Sequence, residues 1–322
     1  MAGAPAPGTA PAGTIHTVLG EIPAAELGVT YAHEHLLCLP GAHLLEQGGP
    51  DLILDSFESS AGELELFKQA GGGAIVEVTC RDYGQDAEGL AALSLRSGVH
   101  VVAATGHIME GYWQGVVDVA AMSDTELVEE MLRDLTEGYP EAPGVRAGVI
   151  KVGTSRDTAT RDEERMLRAA AVVQRDLGCA ITTHCTGGTG GTMQVRIFEE
   201  AGANLEKVVI GHQDQRLHWD DHLAIARSGC TLGYDCVSKE KYEPEFRRIE
   251  FVKRLVEEGL GDRVLLSGDL ARKSYLTAYG GGPGFTYILW RFIPWLWQEG
   301  VSRAATEQIL RHTPARVFAW ER

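Results

Sequence analysis

The 322-residue sequence predicts an α/β protein, a single-domain (β/α)8 TIM barrel. Short apolar runs alternate with longer amphipathic segments along the chain, and this alternation repeats eight times. The apolar runs are of the type found in parallel strands that are buried on both faces. The chain length also suits one barrel, because α/β barrels commonly exceed 200 residues as one domain.

The strands and helices of this barrel can be assigned in order along the chain. The predicted strands cover residues 29–36, 73–79, 100–106, 147–153, 179–185, 207–214, 230–236 and 263–269. Helical periodicity is clearest in three segments, which cover residues 123–139, 161–178 and 243–261. Ser123 and Glu126 form a capping-box signature at the start of the first segment, and Gly259 or Gly261 ends the last.

A doubly wound sheet is the alternative fold. That fold would need a glycine-rich phosphate-binding turn after its first strand, and the sequence there is AHEHLL. The glycine-rich stretch GGTGG at 187–191 follows the fifth strand and lacks the GxGxxG pattern. We interpret it as a loop.

The charge balance limits the partners of the protein. The formal net charge is −16, which argues against non-specific binding of nucleic acid or of anionic membranes, because both require a basic face. The longest apolar-aromatic run, residues 285–297, contains Arg291 and Pro294 and is too short to span a bilayer. We interpret it as a core helix or a homodimer contact, and we expect a small-molecule partner.

The N-terminal stretch MAGAPAPGTAPAG lacks the basic and apolar regions of a signal peptide. Its composition predicts a disordered tail over residues 1–13, followed by the barrel over residues 14–322. The six cysteines have no CxxC spacing, and in a chain of this length they are expected to be reduced and buried. We therefore expect a cytoplasmic protein.

Metal-competent side chains lie at the carboxyl ends of the predicted strands, which form the active-site face of such a barrel. They are His33, His35, Lys151, His184, His212 and Asp269. His33 and His35 are two residues apart on one strand and therefore share a face, a good start for a divalent metal site. Taken singly, each histidine equally fits a hydrogen-bonded core residue, and Asp269 fits a cap. Their joint position favours a metal centre.

Lys151 lies in the apolar run AGVIKVG, where an unpaired ammonium group would be costly. A buried lysine readily loses its proton. The neutral amine could then add carbon dioxide to give a carbamate, an anion whose two oxygens can bridge two metal ions. The alternative is an ion pair between Lys151 and an acidic neighbour, and the sequence leaves both open.

Five motifs in order, HEH, IKVGTS, TTHC, IGHQD and SGD, resemble the phosphotriesterase family of the amidohydrolase superfamily from roughly residue 14 to the C-terminus. The resemblance implies a binuclear metal centre in the barrel mouth. The implied ligands are His33, His35 and Asp269 for the more buried ion and His184 and His212 for the more exposed ion. A carboxylated Lys151 and a hydroxide would bridge the two ions.

The same resemblance implies a metal-dependent hydrolase acting on ester bonds. The bridging hydroxide would attack a carbonyl or phosphorus centre, and the exposed ion would polarise the oxygen of the bond under attack. Asp269 would act as proton shuttle, accepting the proton and passing it to the leaving group. Zinc is the favoured metal, and manganese, cobalt or iron would suit the same ligands.

Basic residues on the two loops that follow the last strands suggest capture of an anionic substrate group. The motifs KYEPE and SGDLARKSYLTAYGGGPG resemble the branch of the family that hydrolyses phosphorylated sugar lactones. That resemblance assigns the substrate phosphate to Lys241, Arg272 and Tyr275. The alternative is that the basic residues of these two loops are solvated charges, paired with Glu240 or Glu243. These residues are Lys239, Lys241, Arg272 and Lys273.

Two other functions fit the sequence. One is a promiscuous lactonase or phosphotriesterase that prefers neutral lactones or organophosphate esters. The other is a non-catalytic, metal-bound binding protein, which the complete set of ligand positions and the retained Asp269 disfavour.

Overall fold

The computed structural model describes residues 13–320, and its centre is a barrel of eight parallel strands. The barrel strands, labelled β1 to β8, are Thr30–Glu34, Ala74–Glu77, His100–Thr105, Val149–Thr154, Ala180–Cys185, Val208–Ile210, Thr231–Tyr234 and Val264–Leu266. Their order in the sheet follows the chain from β1 to β8, and every pairing is parallel. The predicted TIM barrel is confirmed. Of the tail predicted over residues 1–13, residues 1–12 lie outside the described residues.

Helices surround the barrel. Within residues 13–320 the α-helices, α1 to α12, are Ala42–Gly48, Phe57–Gln69, Ala87–Ser97, Glu110–Trp113, Asp124–Thr136, Arg161–Leu177, Gly191–Glu200, Trp219–Ser228, Glu245–Glu257, Ile293–Gln298, Arg303–Glu307 and Thr313–Phe318. The predicted capping box precedes α5, where Ser123 and Glu126 each accept a hydrogen bond from the other's backbone N–H. Gly259, with φ 77°, follows the end of α9.

Several predicted strands end earlier in the structure than in the sequence assignment. The sixth stops at Ile210 and the eighth at Leu266, because the chain then turns into loops in which His212 and Asp269 adopt positive φ angles of 57° and 47°. The fourth strand, β4, instead ends one residue later than predicted. Lys151 does not close it, since β4 continues to Thr154 and holds Lys151 in its interior.

An N-terminal hairpin closes the amino end of the barrel. Its strands, Thr14–Thr17 and Gly20–Pro23, are antiparallel, and a second hairpin joins Gly138–Tyr139 to Ala142–Pro143. Trp320 stacks on His16 with the ring centroids 3.7 Å apart, and its indole N–H donates to the carbonyl of Gly148 just before β4. The two ends of the described chain are thereby fixed to the bottom of the barrel.

The aromatic run forms a π-helical turn, Ile288–Phe292, that continues into α10. Five of its apolar side chains are buried, which supports a core role, although Trp290 is 57% exposed. The five are Phe285, Ile288, Phe292, Ile293 and Leu296. Within the described part of the chain, no helix combines the length and the apolar character that crossing a membrane requires. The six cysteines are all buried and free.

Glu34 joins the last strand of the barrel to the first. Its Oε1 accepts hydrogen bonds from the Ser267 hydroxyl (2.7 Å) and the Gly268 N–H (2.6 Å), and its Oε2 accepts from the Leu270 N–H (2.9 Å). The Asp269 N–H donates to the carbonyl of His33 (3.2 Å) at the same seam. A fully buried carboxylate thus supplies the contacts that close the barrel beside the predicted site.

We expect Glu34→Ala to destabilise the protein, because it leaves two buried backbone N–H groups without an acceptor. The free energy of unfolding should fall by about 3 kcal/mol, measured by urea denaturation. Glu199→Ala, at an exposed position on α7, is the matched control and should change it by less than about 0.5 kcal/mol. Equal effects of the two substitutions would contradict this role for Glu34.

Candidate active site

A pocket opens at the carboxyl end of the barrel, and the structure brings every predicted site residue to it. The residues predicted as metal ligands that line this pocket are His33, His35, Lys151, His184, His212 and Asp269. We call these six the ligand cluster. The residues predicted to bind the substrate phosphate, Lys241, Arg272 and Tyr275, line the same pocket.

The ligand cluster contains two groups of adjacent donor atoms. In the first, donor atoms of His33, His35 and Asp269 all lie within 4.8 Å of one another. His35 Nε2 is 3.2 Å and His33 Nε2 is 3.9 Å from Asp269 Oδ1. In the second, His184 Nδ1 and His212 Nε2 are 2.8 Å apart. These imidazole nitrogens and carboxylate oxygens are therefore close enough together to share bound metal ions.

Burial favours the neutral form of three imidazoles of the ligand cluster, those of His33, His35 and His184. Desolvation, assisted by the nearby Lys151, lowers the pKa of His33 to about 3. Burial also lowers the pKa of His35, and it holds the pKa of His184 well below its usual value with the help of His212. Because only a neutral imidazole can donate a lone pair to a metal, these three side chains are ready ligands at neutral pH.

Lys151 lies between the two groups. Its Nζ is 3.2 Å from His33 Nε2 and 3.3 Å from the carbonyl oxygen of Thr183. Burial lowers the pKa of this amine even though Asp235 and Asp269 favour its charged form. In the described part of the chain no carboxylate forms a salt bridge with Lys151, so the ion-pair alternative is not observed.

Asp269 is an anion that is held by a lysine. Burial alone would raise the pKa of Asp269, but Lys239 and a hydrogen bond from His35 outweigh burial and keep the pKa well below its usual range. Lys239 Nζ is 2.5 Å from Asp269 Oδ2, and Lys239 is only 7% exposed. Lys239 is therefore not a solvated loop charge.

Asp235, which follows β7, is a site residue that the sequence analysis missed. Its Oδ1 accepts a hydrogen bond from His212 Nδ1 (2.7 Å), and its Oδ2 is 3.1 Å from His33 Nδ1. A carboxylate facing both Nδ1 atoms favours the tautomer in which each Nε2 is free to bind a metal. Its position at a strand end, in GYDC, is the same signal that identified the other residues.

Asp235 is itself supported by a buried ion pair. Asp214 Oδ1 accepts the N–H of Asp235 (3.1 Å), and Arg248 Nε donates to Asp214 Oδ2 (2.8 Å). Asp214 and Arg248 are completely buried, and Arg248 also donates to the carbonyl of Lys239 (3.1 Å). The segment that carries both Asp235 and Lys239 is therefore fixed from behind.

The predicted phosphate-binding residues meet at the rim of the pocket. Lys241 Nζ donates to the Tyr275 hydroxyl (2.9 Å), and an Arg272 guanidinium nitrogen is 3.6 Å from an Asp51 carboxylate oxygen. Glu243 pairs with Arg247, and no carboxylate among residues 13–320 forms a salt bridge with Lys241. The pairing of Lys241 with an acidic neighbour is therefore not observed.

A family model described as the phosphotriesterase family matches residues 13–318. The chain belongs to the phosphotriesterase family. The phosphotriesterase homology protein of Escherichia coli (strain K12) is 33% identical over 90% of this chain and 98% of that protein. The N-acetyltaurine hydrolase of Danio rerio is 32% identical over 94% of this chain and 97% of its own length.

Solved structures of family members match the fold closely. A lactonase from Listeria monocytogenes superimposes with a TM-score of 0.92 at 31% identity, over 96% of this chain and all of that chain. The Escherichia coli protein, solved with phosphate in its active site, superimposes with a TM-score of 0.86 at 32% identity, over 91% of this chain and 99% of that chain. The predicted family, the barrel fold and the hydrolase class, acting on ester or amide bonds, are confirmed.

We expect Asp235→Asn to weaken metal binding, because an amide presents only one acceptor oxygen, whereas the two carboxylate oxygens of Asp235 face the Nδ1 atoms of both His212 and His33. Metal affinity, measured by competition with a chromogenic chelator, should fall by about 10- to 100-fold. Asp262→Asn, in the loop before β8 and outside the pocket, should leave it unchanged. An unchanged affinity in the Asp235 variant would show that Asp235 does not orient the ligands.

Proposed function

We propose that the protein is a binuclear-metal-dependent lactonase that opens phosphorylated five-carbon sugar lactones. The observation that carries this proposal is the lining of one pocket by the ligand cluster and by Lys241, Arg272 and Tyr275. Groups suited to activating water therefore lie beside groups suited to holding a phosphate. The Listeria monocytogenes lactonase among the structural relatives supports the reaction class.

The donor set fits two divalent metal ions. His33, His35 and Asp269 would hold one ion and His184 and His212 the other, since their donor atoms are already grouped in this way. Neutral imidazoles and carboxylates suit zinc, and also manganese, cobalt or iron. Two such ions would activate a water molecule near neutral pH and polarise the carbonyl of the scissile bond.

Lys151 would complete the donor set as a carbamate. The neutral amine attacks carbon dioxide, a nitrogen–carbon bond forms, and one amine proton leaves to solvent. The product carries a negative charge on two oxygens, in place of an amine that lies 3.2 Å from His33 Nε2. The lowered pKa of Lys151 and the absence of a carboxylate partner within the described residues favour this reaction.

Asp269 would move the proton. Lys239 holds Oδ2, while Oδ1 faces His35 in the ligand cluster. The carboxylate would accept a proton from the attacking water and deliver it to the alkoxide that leaves when the lactone opens. Lys239 keeps Asp269 anionic before this transfer.

The phosphate would lie against Lys241, Arg272 and Tyr275. The Arg272 guanidinium can bind a phosphate in a bidentate manner, with two parallel hydrogen bonds, whereas Lys241 acts as a point charge. Lys241 already donates to the Tyr275 hydroxyl, so the two groups are oriented together. The whole chain has a formal net charge of −16, which would repel an anion. The positive charges of Lys241 and Arg272 would therefore be needed to attract an anionic substrate to the pocket.

N-acetyltaurine hydrolysis is the second candidate function, because the Danio rerio relative with that activity in its name is 32% identical over 94% of this chain. N-acetyltaurine has an amide carbonyl and a sulfonate. A sulfonate is a tetrahedral oxyanion like a phosphate, so the same three side chains could hold it. The two candidates therefore share a site and differ in the bond that is broken.

We expect Lys241→Ala and Arg272→Ala each to lower kcat/KM for a phosphorylated pentonolactone by about 10- to 100-fold, because each removes a charge-assisted hydrogen bond. The kcat/KM for the unphosphorylated lactone should change by less than about twofold in both variants. The control Lys253→Ala, on α9, should change kcat/KM for either lactone by less than about twofold. Stopped-flow pH-indicator assays measure all of these rates.

We call Lys241, Arg272 and Tyr275 the phosphate clamp. Losses of kcat/KM of the same size on both lactones would refute their assignment to the substrate phosphate. Hydrolysis of neutral lactones or organophosphate esters alone would favour the promiscuous alternative. Hydrolysis of N-acetyltaurine without hydrolysis of either lactone, together with sensitivity to the two substitutions, would favour the second candidate.

We expect the metal-loaded protein to incorporate ¹³C from labelled bicarbonate as a carbamate at Lys151, seen by ¹³C NMR. Lys151→Met should lose this signal and bind fewer metal ions by elemental analysis, because it removes the bridging anion. Lys253→Met is the control and should retain both properties. A full metal complement with no carbamate signal would disprove the modification.

A further inference from the structure

Arg156 follows β4 by two residues and lines the pocket beside Thr186 and Gly187, near His184 of the ligand cluster. The sequence analysis gave it no role, and the proposed mechanism does not use it. The pocket is lined by five basic side chains, which are Lys151, Arg156, Lys239, Lys241 and Arg272. The question is what an additional cation does on this wall.

Arg156 differs from the other basic residues of the pocket in having no protein partner. Lys239 is paired with Asp269, Arg272 lies near Asp51, and Lys241 donates to Tyr275. Over residues 13–320 the structure gives Arg156 neither a salt bridge nor a hydrogen bond, although acidic residues outnumber basic residues by 45 to 29 in the sequence. An unpaired guanidinium on a pocket wall retains its five N–H donors for a ligand.

Gly187 creates the space that the guanidinium occupies. A Cβ at this position would overlap the guanidinium carbon and both terminal nitrogens of Arg156. Gly187 also has a φ of 66°, a left-handed conformation that glycine adopts without strain. The loop after β5 therefore leaves room for the exposed Arg156 side chain beside its backbone, without supplying a carboxylate.

Arg156 stands on the opposite wall of the pocket from the phosphate clamp. The strands follow one another around the barrel in chain order, so β4 lies across the barrel from β8. Arg156 follows β4, whereas Arg272 follows β8 and Lys241 follows β7. The ligand cluster lies between these two cationic walls.

We propose that Arg156 is a second anion-binding position that recognises an oxyanion on the acyl side of the substrate. The inference rests on the proposed function. In a pentonolactone phosphorylated on its terminal carbon, the phosphate is attached beside the ring oxygen that becomes the leaving alkoxide. If the loops after β7 and β8 hold that side, the carbon next to the carbonyl faces the loop after β4, which carries Arg156. The preferred substrate is then a lactone with oxyanions on both sides of the scissile bond.

The test uses three matched lactones without phosphate: γ-butyrolactone, its α-carboxylate and its γ-carboxylate. The α-carboxylate lies on the acyl side, and the γ-carboxylate lies beside the ring oxygen. Arg156→Gln should lower kcat/KM for the α-carboxylate by about 10- to 100-fold and change the other two by less than about twofold. Gly187→Ala, which displaces the guanidinium, should show the same selectivity.

Arg161→Gln is the matched control. Arg161 is exposed at the first residue of α6 and lies outside the pocket, so its loss removes the same charge without removing the proposed contact. It should leave all three rates within about twofold. A loss on the α-carboxylate as large as that of Arg156→Gln in this control would show that the positive charge of the region, rather than a contact with Arg156, explains the effect.

Calorimetric titration of the metal-loaded protein with unreactive cyclic ethers gives a readout that does not depend on turnover. The ethers are tetrahydrofuran, its 3-carboxylate and its 2-carboxylate, which correspond to the lactone, its α-carboxylate and its γ-carboxylate but have no carbonyl to hydrolyse. Arg156→Gln should weaken binding of the ether that corresponds to the α-carboxylate only. Equal losses with all three ligands, or no loss with the α-carboxylate, would overturn the inference. If Arg272→Gln fails to weaken the γ-carboxylate while Arg156→Gln acts as expected, the phosphate clamp is wrong and the role of Arg156 stands.

Discussion

Lys151 occupies a strand position where water cannot hydrate an ammonium group, and the chemistry of the whole site follows from that constraint. The same burial lowers the pKa of the amine and of the imidazoles of His33, His35 and His184. The barrel mouth is thus a set of neutral nitrogen donors. Asp269 is held as an anion by its basic partner Lys239. Uncharged donors beside a few stabilised anions suit a divalent cation.

Much of this site could be predicted from the sequence, because two general features of strands and barrels determine where its residues lie. Alternation along a strand places His33 and His35 on one face. The carboxyl ends of parallel strands meet at one end of a barrel, which brings Lys151, His184 and Asp269 to the same pocket without any knowledge of distances. The structure shows that an exact strand end is not needed, since Lys151 lies inside β4 and still lines the pocket.

The residues that the sequence did not reveal act through contacts between distant segments. Asp235 has a role because His33 and His212 come from two other strands. Arg248 supports Asp235 from α9 through Asp214, and no spacing rule connects these positions. The alternative in which Lys239 is a solvated loop charge failed for the same reason, since its partner Asp269 is thirty residues further along the chain. Such pairings are properties of the folded barrel.

Specificity in this pocket has to come from its walls. A metal pair that activates water and polarises a carbonyl acts on lactones, esters and amides alike, and the relatives include a lactonase and an N-acetyltaurine hydrolase. The ligand cluster therefore cannot choose among these substrates. If Lys241 and Arg272 hold the substrate anion as proposed, they would distinguish an oxyanion from a neutral group but not a phosphate from a sulfonate. A contact on the other side of the scissile bond would separate such substrates, and among the described residues Arg156 is an unpaired cation on that wall.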